Sequence, residues 1–170
     1  LVYGNGDPTR NPMIHTTSVN NYLPGIPDGN RVFRFSSYYS TSNYSQFLIS
    51  RELSGTDMLL SFQYAKQNTS LERLRVGYSA TDRDTNSFAW QPWIADTSIS
   101  YTQWGQYTDS IPEGARFVAI QYASPRYFYA YIDNLTITGS AACLSPVVGD
   151  IVRGEDNLTI SYTAEVDSVE

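Results

Sequence analysis

Residues able to do acid, base or nucleophilic chemistry are few in this chain. The only histidine, His15, stands beside Thr16 and Thr17 in a turn-rich stretch, and the only cysteine is Cys143. Covalent catalysis needs a nucleophile within reach of a base. No Gly-x-Ser-x-Gly turn supplies one, so His15 reads as a structural or surface residue. Glu52, Glu72, Asp96, Asp109 and Glu113 are the carboxylates a glycosidase-like pair would draw on, and such a pair must face each other across about 5–10 Å. Each stands next to a turn or a polar run, where a solvated charge is the ordinary use. The chain therefore reads as a non-enzyme. Asp82, Asp84 and Asn86 have the D-x-D-x-N spacing of a calcium loop, but Ser87 stands where such a loop needs Gly and Trp93 where it needs a bidentate Glu. A solvated hairpin turn is the simpler reading.

Aromatic residues offer a different chemistry. The apolar face of a pyranose stacks on an aromatic ring while its hydroxyls seek polar groups. Trp90 and Trp93 in FAWQPWIAD and Trp104 in YTQWGQY stand among Gln91, Gln103 and Gln106, a suitable mixture. Sandwich proteins also bury tryptophan between their sheets, so two arrangements are open: three indoles exposed in a line, or three indoles in the core. Tyr127, Tyr129 and Tyr131 alternate with Phe128, Ala130 and Ile132, a stripe that is either a binding platform or cross-strand packing. Tyr38 and Tyr39 lie in FSSYYSTSNYS, a polar loop with little core to bury them. Trp90, Trp93, Trp104, Tyr38, Tyr39 and Tyr127 are thus the candidate ligand-binding residues.

The elements that position these residues read as strands. Fourteen tyrosines, seven phenylalanines and three tryptophans with abundant Ser and Thr favour strand over helix. Met58, Leu60, Phe62 and Tyr64 alternate with Leu59, Ser61, Gln63 and Ala65, and Leu74, Val76 and Tyr78 repeat the pattern. Phe117 to Tyr122 is apolar on both faces, as in an interior strand. Further strands are expected near residues 14–19, 31–35, 47–50, 88–94, 101–107 and 127–137, with turns at GNGDP, LPGIPDGN and TDRDTN. Short strands with Gly, Pro and Asn turns between them predict an all-β protein, a sandwich of two antiparallel sheets.

Charged residues are 16% of the 170-residue chain and its net charge is −6, without the clustered cations that nucleic acid requires, so no nucleic-acid partner is expected. A single cysteine excludes an intrachain disulfide framework. No run of about 18 apolar residues could span a bilayer as a helix. Asn-x-Ser/Thr sequons at Asn43, Asn68, Asn134 and Asn157 need no explanation beyond chance in so Asn- and Ser-rich a chain.

Five blocks together carry a family resemblance: FLISRELSG at 47–55, LLSFQYA at 59–65, RVGYSA at 75–80, ARFVAIQYA at 115–123 after a Pro-Glu-Gly turn, and FYAYIDNLTI at 128–137. In order and spacing they resemble the cleaved-adhesin or choice-of-anchor type of jelly-roll domain found on bacterial surface proteins of the Bacteroidetes type. The resemblance sharpens the sandwich to a jelly-roll β-sandwich over residues 1–139. It implies a structural calcium ion held near Asp133, the aspartate of YIDN. The family more often has two acids there, and Asn134 stands in place of the second. Asp7, Asp28 and Asn30 are the residues expected to complete such a site, because first and last strands of a jelly roll commonly lie side by side. Asp133 and Asp28 are therefore the candidate metal ligands, against a plain hydrogen-bonding role at a strand end.

After the small-residue stretch GSAACLSP, the alternating DNLTISYTA at 156–164 resembles the opening of a fibronectin-like or immunoglobulin-like domain. Residues 140–170 are expected to be a linker and the first strands of such a neighbour, cut from a longer multidomain protein. The function the resemblance implies is a non-catalytic, cell-surface or secreted adhesin-like module, exported and extracellular, that recognises a host or environmental protein or glycan. Two alternatives stand beside it: a carbohydrate-binding module serving a separate catalytic domain, and a structural spacer in a surface protein.

Overall fold

A computed structural model describes residues 2–3, 12–16, 25–38, 44–69, 72–94, 102–124, 128–140, 147–153 and 158–163. Two compact units divide the chain, Leu1–Ser140 and Ala141–Glu170.

The described residues of the first unit form ten strands: β1 (Val2–Tyr3), β2 (Met13–Thr16), β3 (Arg31–Ser36), β4 (Tyr44–Ile49), β5 (Thr56–Lys66), β6 (Arg73–Ser79), β7 (Ala89–Trp90), β8 (Gly105–Ser110), β9 (Phe117–Ser124) and β10 (Tyr129–Ser140). They form two five-stranded sheets, in order β1-β4-β9-β6-β7 and β2-β3-β10-β5-β8, and every pairing is antiparallel. From β3 to β6, and again from β7 to β10, the chain changes sheet at each step. The fold is the expected jelly-roll β-sandwich.

Alternation decides which side chains meet between the sheets. Leu74, Val76 and Tyr78 of β6 and Val118, Ile120 and Tyr122 of β9 face Phe35, Leu60, Phe62, Ala130 and Ile132 of the other sheet in one buried core. Burying each large apolar side chain contributes about 1.5–3 kcal/mol. Phe35 stacks on Tyr122 at 5.4 Å between ring centres, and Phe62 on Tyr107 at 4.8 Å. β9 is the middle strand of its sheet, and a second cluster covers its outward side: Ile49, Phe88, Phe117 and Ala119, with Phe47 and Trp90 against them. That cover explains why β9 reads as apolar on both faces.

One end of the core is polar and satisfied. Gln46 of β4 accepts from the Ser36 amide at 3.0 Å and donates to the Ser36 carbonyl at 2.9 Å, joining the two sheets. Nearby, buried Glu72 accepts from the Tyr122 hydroxyl and from the Phe128 amide. Burial, and then the Glu72 charge, push the Tyr122 hydroxyl well above the ordinary tyrosine range.

Some strand limits differ from the sequence expectation. The strand expected at 101–107 runs instead over Gly105–Ser110, because the Trp104 Nε1–H donates to the Gly25 carbonyl at 2.8 Å and turns that residue toward the 25–30 loop. The strand expected at 88–94 shortens to Ala89–Trp90, preceded by a single 3-10 turn at Thr85–Ser87. Pro92 has no N–H to give a ladder, yet the Gln91 and Ile94 amides reach the Val76 and Leu74 carbonyls, so the segment still tracks β6.

In the second unit, β11 (Val147–Arg153) and β12 (Leu158–Thr163) form a two-stranded antiparallel sheet with a register shift between Val148 and Ile151. Cys143 lies outside the described residues.

Candidate functional site

The alternation that buries Leu74, Val76 and Tyr78 of β6 turns Arg73, Arg75 and Gly77 to the outside of the sheet. The same rule in β9 turns Phe117, Ala119 and Gln121 outward, and in β4 Phe47 and Ile49. Gly77 is the Cα partner of both Ala119 and Trp90, which fixes the register of this face. The Trp90 ring lies flat on Gly77: a Cβ there would stand 2.5 Å from Cε3 of the indole. Only the missing side chain permits that approach. Phe88 and Phe47 support the ring at 5.4 and 5.8 Å between centres.

On this floor the Arg75 guanidinium is held against two indoles, 4.8 Å from the Trp90 ring centre and 4.3 Å from that of Trp93. Its Nε–H donates to Gln121 Oε1 at 2.6 Å, and Gln121 in turn donates from Nε2 to Ser45 Oγ. Partial burial lowers the Arg75 pKa from its ordinary value, yet guanidinium remains charged in proteins. Trp93 is 36% exposed. The result is a surface of aromatic faces, fixed donors and one oriented cation, standing outside the core.

The other sequence candidates lie elsewhere. Trp104 is on the edge of the second sheet beside Gly25, so the three tryptophans neither form one line nor stack in the core. Tyr38 packs on Phe128 and Tyr129 at 5.4 and 5.5 Å. Tyr129 and Tyr131 share one face of β10 with 6.3 Å between rings, and Arg34 covers Tyr129 at 4.5 Å, so this stripe is packed rather than open. Tyr131 is fully buried, which pushes its hydroxyl up to about 12. Tyr39 and Tyr127 lie outside the described residues, as do Asp7 and Asp96.

The Asp28 backbone, not its carboxylate, meets Asp133. The Asp28 amide donates to Asp133 Oδ2 at 3.4 Å, and the Asn134 amide to Oδ1 at 2.9 Å. Asn134 takes a left-handed φ of 49° where the β10–β5 register shifts, and its side chain donates to Gln63 Oε1. Hard oxygen donors suit calcium, which takes six to eight of them. The Asp133 carboxylate fits the ion in kind, but one carboxylate that already accepts two backbone N–H groups is too few. Among the described residues no group of three or more His, Cys, Asp or Glu side chains gathers anywhere. The Asp82-Asp84-Asn86 stretch is a turn held by its own side chains: Asp82 Oδ1 accepts from the Asp84 amide and Asp84 Oδ1 from the Asn86 amide, both at 2.9 Å.

The carboxylates weighed for catalysis have separate occupations. Glu52 pairs with Arg116 at the surface, Glu72 caps the buried polar end of the core, and Glu113 is exposed in a turn. Asp109 accepts from the Tyr78 and Tyr107 hydroxyls, each at 3.2 Å. His15 accepts from Arg34 at 3.4 Å, and burial followed by that guanidinium's charge lowers its pKa.

Sequence reasoning singled out Trp90 and Trp93 but not Arg75, Gln121, Ser45 or Phe47. The available signal was the R-L-R-V-G alternation of β6, which places a bare glycine and two arginines on one outward face.

No protein-family model matches the chain, and no curated protein matches it in sequence. Its fold is similar to two cleaved adhesin domains of Lys-gingipain. One shares 15% identity over 81% of this chain and 88% of the other, with a TM-score of 0.65. The second, from Porphyromonas gingivalis, shares 17% identity over 83% of this chain and 90% of the other, with a TM-score of 0.62. The fold is also similar to TmCBM61, solved in complex with β-1,4-galactotriose, at 10% identity over 82% of this chain and 88% of that one, with a TM-score of 0.57.

Proposed function

We propose that the first unit is a non-catalytic binding module that takes a glycan on the outward face of the β1-β4-β9-β6-β7 sheet. The observation that carries this reading is the surface formed by Trp93, Trp90, Arg75 and Gln121, where aromatic faces and fixed hydrogen-bonding groups meet outside the core. A sugar ring stacked on Trp93 would place its hydroxyls within reach of such groups. Similarity in fold to adhesin domains and to a galactotriose-bound carbohydrate-binding module supports a binding role, while the fold itself leaves the ligand open. The setting that goes with this reading is extracellular, with residues 141–170 as the opening strands of an immunoglobulin-like or fibronectin-like neighbour. In the same reading a structural calcium ion near Asp133 and Asp28 would need further oxygens beyond these two residues.

Glycan-array binding of the full chain, followed by tryptophan-emission titration of the hits, tests the proposal. Trp93→Ala should fold and lower affinity by about tenfold or more, as loss of a central aromatic contact does. A spacer predicts no hit at all. Binding that Trp93→Ala leaves unchanged would move the site off this face.

A further inference from the structure

Arg73 and Arg75 stand side by side on the outward face of β6, about 6.6 Å apart along the strand, in a chain whose net charge is −6. Three other arginines are committed elsewhere. Arg116 is engaged by Glu52 and the Thr81 carbonyl, and Arg34 by His15, Met13 and Tyr129. Arg83 covers Phe117 but is flanked in sequence by Asp82 and Asp84. Arg73 is exposed, and among the described residues no carboxylate pairs with it or with Arg75. Arg75 is also oriented in advance: two indoles hold its plane and Gln121 takes its Nε–H. Its Nη1 and Nη2 have no acceptor among the described residues.

We propose, resting on the glycan-binding reading of this face, that its ligand is an acidic saccharide whose carboxylate or sulfate is received by Arg75, with Arg73 beside it and a sugar ring against Trp93. A neutral hydroxyl could accept one of these N–H groups. An anion gains more, because charge-assisted bonds to guanidinium are roughly twice as strong as neutral ones and a two-oxygen acid matches its fork. The cost of ordering the guanidinium has already been met within the folded protein, which favours binding.

The test is titration of the full chain, followed by tryptophan emission, with four polysaccharides: polygalacturonate, its fully methyl-esterified form, dextran sulfate and neutral β-1,4-galactan. Polygalacturonate should bind and its ester should not. Affinity should fall by about tenfold as salt rises from about 0.05 to 0.5 M, because exposed charges are screened within a shorter length. Arg75→Gln should lower affinity at least about tenfold. Arg75→Lys keeps the charge but loses the fork and should fall between that variant and the wild type. Arg73→Gln, at an exposed position, should weaken binding with an unchanged melting temperature, which separates lost charge from lost folding. Dextran sulfate binding equally well identifies sulfate as an equivalent source of the anion. Binding of galactan and the ester in preference to the acids overturns the anionic assignment while leaving the binding module. Binding of none of the four overturns both.

Discussion

Gly77→Ala tests the construction of the site at its floor. An alanine Cβ would stand 2.5, 2.8 and 2.9 Å from Cε3, Cζ3 and Cδ2 of Trp90, whereas carbon atoms in contact sit about 3.5–4.0 Å apart. The indole must therefore lift by about 1 Å off the glycine, which disturbs its contacts with Phe47, Phe88 and Arg75. Overpacking of this kind costs about 1–3 kcal/mol. Two effects oppose it only weakly: reduced freedom of the unfolded chain returns about 0.4–1 kcal/mol, and the ring, being half-buried, can move partly into solvent. The net loss should be about 0.5–2 kcal/mol, a fall in melting temperature of roughly 2–4 °C per kcal/mol for a chain of this size. Scanning calorimetry measures that fall, and a red shift of tryptophan emission reports the lifted ring. Gly114→Ala is the control. Gly114 has φ of 79° with nothing within 4 Å of the position a Cβ would take, so that variant should lose stability through backbone strain alone and keep its emission. A Gly77→Ala protein with wild-type melting temperature and wild-type emission would refute the placement of Trp90 on Gly77.

Alkaline pH should unfold the protein through its buried phenols. Tyr107 and Tyr131 are both raised to about 12, chiefly by burial, so above the unfolded value near 10 the unfolded chain binds fewer protons than the folded one. Stability should therefore hold below about pH 10 and fall between about 10 and 12, by up to about 1.4 kcal/mol per pH unit from the buried Tyr131 and by less from the half-exposed Tyr107, whose charge solvent partly screens; denaturant melts across that range measure it, and a flat profile refutes it. Tyr122→Phe removes a buried donor from Glu72 and a partner from Ser37, which should cost about 1–3 kcal/mol in equilibrium denaturation. No loss there would mean that water replaces the hydroxyl. Millimolar calcium added after a chelator should raise the melting temperature by binding the native state alone, and Asp133→Asn should abolish the rise. An unchanged melt removes the ion from the reading of Asp28 and Asp133.

The fold was legible because its signal is local. Period-two alternation in 58–65 and 74–78 fixes which side of each strand is buried, and the doubly apolar Phe117–Tyr122 marks the centre of a sheet. Where the pattern misled, a longer-range bond had intervened. Trp104 looked like the middle of a strand, but its indole is drawn to Gly25, 79 residues away in sequence, and the strand starts one residue later. Pro92 shortened β7 for a reason visible in the chain, since a missing N–H always interrupts a ladder.

Of the candidate site, only the aromatic half was legible in the sequence. Trp90 and Trp93 announce themselves by residue type, but the two residues between them would put the rings on opposite faces of a regular strand, and it is the break at Pro92 that lets both rings meet Arg75. Arg75 does not announce itself, because an isolated arginine in a strand is ordinarily a solvated charge. Its meaning comes from partners contributed by other strands: Gln121 across β9 and Ser45 beyond it on β4, 46 and 76 residues away from Arg75 and Gln121 respectively. That cross-strand order depends on the jelly-roll sequence of strands β4-β9-β6-β7, which alternation alone does not specify. The glycine at 77 carries the connection between the two levels. As a strand residue it is a liability, lacking a side chain to pack; as the floor under Trp90 it is what lets the indole lie flat and reach Arg75. A weak strand position beside two outward arginines is thus the local sequence mark of the proposed face.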